Sequence, residues 1–221
     1  MPAHSLPRRV AALAVLLLPL AGAAQPAAPL VAAAGRGDLA AVRRLAEAGT
    51  AIEQRDERGR TALLAATDGN HLEVARYLIA RGANVNAQDQ QQDSAHLLAG
   101  ARGFTEILRA TLAAGADFTV RNRFGGNALI PACERGHVDT VQLLLTTRIP
   151  VDHVNNLGWT CLLEAVILGD GGERHQRIVQ MVVAHGANVN LADRDGVTPL
   201  QHAQRKGQAE VARILRAAGA R

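Results

Sequence analysis

The chain is poor in several of the residues on which other architectures and chemistries depend. Its 221 residues include only three Phe, one Trp and one Tyr, so aromatics make up 2%. A β-sandwich core normally draws on far more aromatic and β-branched surface, so the composition argues against an all-β sandwich. Two cysteines exclude a disulfide-dense scaffold and a Cys-rich metal module. Serine is reduced to Ser5 and Ser94, and no phosphate loop or nucleophile elbow is present. No pair of histidines stands at i, i+3 or i, i+4, and there is no Cys-x-x-Cys, so no metal site is expected. Lys206 is the only lysine. Beyond the first twenty residues no apolar run reaches the roughly 20 residues that a membrane span needs.

The hydrophobic fraction is nevertheless 48%, carried by Ala, Leu and Val. With 20% charged residues, the chain has enough apolar surface to bury a core and is not of disordered composition.

The N-terminus reads as an export signal. Arg8 and Arg9 precede the apolar run Val10–Leu18, and Ala21-Gly22-Ala23 fits a small-residue cleavage site. We expect residues 1–24 to be removed and 25–29 to form a short lead-in. The expected localisation is periplasmic, with secretion beyond the envelope as an alternative. Export by the general or the twin-arginine route stays open. Without Arg8 and Arg9 the net charge falls from +4 to 22 − 20 = +2, a weak basis for binding nucleic acid.

The glycines carry a period. Gly49, Gly82 and Gly115 are 33 apart, as are Gly103 and Gly136, and Gly186 and Gly219. The step from Gly115 to Gly186 is 71, or 33 plus 38, so one unit holds five extra residues, near 170–175. Each unit has the same order. A turn ends at Gly59, Gln92, Gly125, Gly158 or Gly196. Two residues later comes a helix N-cap: Thr61, Ser94, Asn127, Thr160 or Thr198. A short Ala-rich helix, a Gly or Asn stop, a second helix and an extended segment complete it. Arg148 falls on a left-handed glycine slot and predicts a local distortion.

Helix, turn, helix and hairpin at this period resemble the ankyrin repeat. Thr198-Pro199-Leu200 matches the family's T-P-L, and Gly136-His137 its G-H. Gly82-Ala83-Asn84-Val85-Asn86 and Gly186-Ala187-Asn188-Val189-Asn190 match the closing G-A-x-V-N. No unit has the full T-P-L-H. The resemblance implies an all-α repeat solenoid of about six ankyrin repeats over residues 30–221, stacked because no single unit can bury its own apolar face. In that family, hairpin tips and the inner helical face hold protein partners. It therefore implies a non-catalytic interaction module, an adaptor or stabilising accessory of an envelope protein. An inhibitor that blocks a toxin or enzyme, as immunity proteins do, is the alternative. A monomer that takes no cofactor and does not insert in the membrane is expected.

The partner-binding candidates are Arg121, Arg123, Phe124, Val154, Leu157 and Trp159. Adjacent tips should stand roughly 10 Å apart, the distance between packed helices. Phe124, Leu157 and Trp159 could then form one apolar patch flanked by two arginines, and Trp and Arg are typical hot-spot residues. The same aromatics could instead cover a joint between repeats. Glycines 169, 171 and 172 read as a loop between two helices, either a tolerated insertion or a partner contact. His71 and His137 fall on the structural G-H slot, His96 on a core position, and His175 and His185 read as exposed.

The cysteines are expected to be free. Cys133 lies five helical positions beyond the equivalent of Cys161. That is about 7.5 Å along a helix axis. One repeat adds roughly 8–10 Å sideways. The resulting separation of about 12 Å exceeds the ~7 Å that a disulfide tolerates.

Overall fold

The computed structural model describes residues 28–221. The expected signal, and all but the end of the lead-in, lie outside the described residues. Among the described residues, twelve helices form six antiparallel pairs. The first helices are α1 (Pro29–Gly35), α3 (Ala62–Asp68), α5 (Ala95–Arg102), α7 (Leu129–Glu134), α9 (Cys161–Ile167) and α11 (Pro199–Arg205). The second helices are α2 (Leu39–Glu47), α4 (Leu72–Ala80), α6 (Thr105–Ala113), α8 (Val138–Leu145), α10 (Glu173–Ala184) and α12 (Ala209–Ala217). Among the described residues the tips hold no strand, only an isolated bridge between Arg55 and Thr61. The architecture is the all-α solenoid that the resemblance implied.

The caps explain where each first helix starts. Hydroxyls of Thr61, Ser94, Thr160 and Thr198 accept from the amides of Leu64, Leu97, Leu163 and Gln201 at 3.2–3.3 Å. Each satisfies an amide that the first turn leaves unpaired. Asn127 caps with Oδ1, accepting from Leu129 and Ile130, and α7 begins one residue late. Asn70 and Gln92, standing where other repeats have glycine, take the left-handed conformation with φ of 54° and 60°. Arg148 does not. The end of α8 is closed instead by the hydroxyls of Thr146 and Thr147, which donate to Leu143 and Leu144.

The core is one continuous band. Leu30, Leu63, Leu97, Leu129 and Leu162 come from the first helices, and Leu78, Leu108, Leu144, Ile178 and Leu215 from the second. Alanines 66, 99, 132, 165 and 203 are buried between layers and let the repeats approach closely. His96 replaces a leucine in this band. It is buried against the Phe118 ring, with Nδ1 3.2 Å from Thr111 Oγ1. Burial lowers its pKa to about 4.

The expectation of free thiols fails. Cys133 and Cys161 form a disulfide, with Cα atoms 5.5 Å apart. The arithmetic above set neighbouring first helices side by side in register. They are offset along their axes, so the end of one meets the start of the next. Gly100 and Ala128, each 33 residues earlier, show the same relation. A Cβ on Gly100 would lie 2.8 Å from the Ala128 Cβ.

The five extra residues are tied down. His175 is buried, not exposed: Nε2 donates to Glu134 O at 2.9 Å and Nδ1 lies 2.7 Å from Asp170 Oδ1. It takes the place of the G-H histidine, as His71 does with Gly35 O. The insertion therefore precedes this residue and leaves the slot intact. Lys206 donates to the carbonyls of Val166, Ile167 and Gly169. Gln208 Nε2 reaches Val166 and Gly169 as well. Together they satisfy the end of α9, where Gly169 does not take the left-handed conformation of the other glycine stops.

Candidate partner-binding face

One polar residue organises each tip. Oδ1 of Asp56, Asp89, Asn122, Asn155 and Asp193 accepts from the amides two and four residues on, at 2.8–3.0 Å. This local competition with regular structure is what Asx residues do best. It sets the residue two positions on at the apex of the tip. Those residues are Arg58, Gln91, Phe124, Leu157 and Asp195. Apices are also linked along the row: Asn156 N donates to Phe124 O at 2.8 Å, and Gln90 N to Arg58 O at 3.1 Å.

Two apolar apices are therefore neighbours in the row. Phe124 and Leu157 are each 49% exposed and Val154 is 44% exposed. None of the three packs against the core. Trp159 is half-buried, with its amide held by Asn155. Of the two arginines, only Arg123 joins the patch. Its guanidinium lies 4.7 Å from the Phe124 ring centroid, and Nη1 donates to Gln91 Oε1. Arg121 turns back into its own repeat, donating to the carbonyls of Phe118 and Val120.

Next to the patch lies a carboxyl that the sequence reading passed over. Glu164 is only 5% exposed, on the inner side of α9. Asn155 Nδ2 donates to its Oε1 at 2.7 Å. Burial pushes its pKa up to about 7, the nearby Glu134 carboxylate adds to this, and the Asn155 contact opposes it. The corresponding contact in the last repeat has the reverse polarity, with His202 Nε2 2.7 Å from Asp193 Oδ2. An acidic residue inside the apolar run Cys161–Ile167 was the signal available for Glu164. Leu168, 49% exposed at the end of the same helix, was also passed over.

The inner face of the earlier repeats is different. A hollow of about 250 Å³ is lined by Arg58, Arg60, Asp68, Asp93 and Arg102, among others. Asp68 pairs with Arg102 at 3.2 Å and Arg60 at 3.4 Å. Among the described residues no cluster of His, Cys, Asp and Glu could hold a metal ion. No described helix is long and apolar enough to cross a membrane.

Three comparisons place this geometry among known proteins. The family model described as ankyrin repeats (3 copies) matches residues 11–89 and 95–193. A putative ankyrin repeat protein of Escherichia coli (strain K12), YahD, is 49% identical over 79 residues. That match covers 36% of this chain and 39% of YahD, so the chain spans about two fifths of that curated relative. An ankyrin repeat domain from Acinetobacter baumannii AYE, ABAYE2397, is 52% identical with a TM-score of 0.85, covering 87% of this chain and 98% of that one. The ankyrin repeat protein EF0377 is 40% identical with a TM-score of 0.82, covering 85% and 96%.

Proposed function

The chain belongs to the ankyrin-repeat family, and from that premise we propose that it is an exported, non-catalytic adaptor or stabilising accessory of an envelope protein. The observation that carries the reading is the pair of neighbouring tips presenting Phe124, Val154 and Leu157 to solvent beside Trp159. Exposed large apolar side chains gathered on one face mark an interaction site. Aromatic and arginine anchors carry most of the energy at such sites. Arg123 stacked on Phe124 supplies such an arginine at the border of the patch.

Export rests on the residues Arg8 to Ala23 and is supported by the Cys133–Cys161 bridge. Structural disulfides persist in oxidising compartments and are rare in the cytosol. A periplasmic location follows on this reading.

Affinity capture from an envelope extract tests it. The wild-type protein and a Phe124→Ala/Trp159→Ala variant of matched stability would be compared. One protein retained by the first and lost by the second is the expected result. Equal retention by both would move the site to other tips or to the inner helices. Capture of nothing by a folded sample, together with growth rescue against a single toxin, would favour the inhibitor instead.

A further inference from the structure

The Cys133–Cys161 bridge lies at the joint that sets the spacing of the two apolar tips. Both residues are fully buried. Cys133 belongs to the last turn of α7, just before the α7–α8 turn, and Cys161 is the first residue of α9, directly after Thr160 and Trp159. One joint earlier, the same two positions hold Gly100 and Ala128, with no room for a further Cβ on Gly100. The stack thus closes tightly at this point, and small residues are the ordinary way to allow it. Here two larger side chains meet instead. Unbonded sulfurs need roughly the 3.5–4.0 Å of ordinary non-bonded contact, more room than a covalent bridge occupies. Densely packed interiors do not absorb such a change without movement.

We infer that oxidation of Cys133 and Cys161 closes the joint between the fourth and fifth repeats and thereby fixes the spacing of the Phe124 and Leu157 tips, so that the binding face is assembled only in the bridged protein. This rests on the reading of those tips as a binding face. The bond forms by thiol–disulfide exchange. The thiolate of one cysteine attacks the disulfide of a dithiol-type oxidant, giving a mixed disulfide. The thiolate of the second then displaces the oxidant. The protein loses two electrons and two protons, and the oxidant leaves as a dithiol. A chain still in a reducing compartment would carry the open joint and an unassembled face, and closure would follow arrival in an oxidising one.

Amide hydrogen exchange tests this without a partner. The reporter is the amide of Asn156, bonded to Phe124 O across this joint, and the control is that of Gln90, bonded to Arg58 O across the second and third repeats. Protein refolded with excess dithiothreitol, and a Cys133→Ser/Cys161→Ser variant, should both raise exchange at Asn156 about tenfold or more beyond any rise at Gln90, the comparison with Gln90 cancelling the general loss of stability that removing a bridge brings. A Cys133→Gly/Cys161→Ala variant, which copies the Gly100–Ala128 pair, should restore slow exchange at Asn156 without any bond. Unchanged exchange at Asn156 on reduction would overturn the inference. So would an equal rise at Asn156 and Gln90, which would mark a general loss of stability. A Gly/Ala variant as fast as the Ser/Ser variant would also overturn it. A failed capture experiment would overturn the binding reading and leave the exchange result standing.

Discussion

Repeats two and three and repeats four and five share a backbone and differ in what they turn to the inner face. The earlier pair turns charge inward and neutralises it internally. Asp68 sits between Arg60 and Arg102. The later pair turns apolar side chains outward at two consecutive apices, buries one carboxyl beside them and is covalently joined. Stacking alone satisfies the backbone and the core in both regions. The residues that differ at equivalent positions are therefore free to serve another purpose, and only the later pair leaves apolar surface exposed at its apices.

Removing the bridge should sharpen the contrast most. The Cys133→Ser/Cys161→Ser variant should lose about 3–4 kcal/mol of unfolding free energy, the chain-entropy expectation for a loop of this length. Denaturant titration would measure it, and a loss below about 1 kcal/mol would sink the idea that this joint is held covalently.

Titration separates the regions next, because their buried ionisable groups act with opposite sign. Glu164 has a raised pKa of about 7 against an ordinary 4.5. Below 4.5 it is protonated in both states. As pH rises towards 7 the unfolded chain ionises first, so stability is lost. His96 has a lowered pKa of about 4 against 6.5. Its contribution is complete above 6.5 and is lost as pH falls towards 4. Each effect is on the order of 3 kcal/mol at most. Glu164→Gln should flatten the loss on the neutral side and His96→Leu the loss on the acid side. Thermal melts from pH 4 to 8 would show two unchanged profiles if the assignments were wrong.

Gly100→Ala comes third. Its Cβ would press on the Ala128 Cβ at 2.8 Å and on a backbone carbonyl at 2.9 Å. A loss of about 1–3 kcal/mol is expected, the usual range for overpacking, and a neutral result in chemical denaturation would refute the offset of neighbouring first helices. The smallest effect belongs to Asp68→Asn, whose side chain is 38% exposed. Solvent-screened pairs contribute about 0–1 kcal/mol. A larger loss would mean that the charged face is more than a solvated one.

Period, caps and core were legible in the sequence because each depends on a local rule. Thr61 or Ser94 caps a helix whatever lies beside it. The alternation of glycine slots needs only the left-handed turn. The bridge was not legible, because the axial offset between neighbouring repeats is a packing result that no single repeat contains. His175 was misread for a related reason. The insertion was drawn up to this residue, whereas the slot is defined by the carbonyl of Glu134 from the preceding repeat. The apices were half legible. Phe124 and Leu157 followed from the tip pattern, while the inward turn of Arg121 depends on carbonyls that the sequence does not display.

The most direct test of the central claim is a hydrogen-exchange footprint of the captured partner on the bridged protein. Protection should fall on residues 122–126 and 153–159, with the apices at 56–60 and 89–93 unaffected. Protection confined to 56–60 and 89–93 would contradict the account, placing the binding face on the charged repeats.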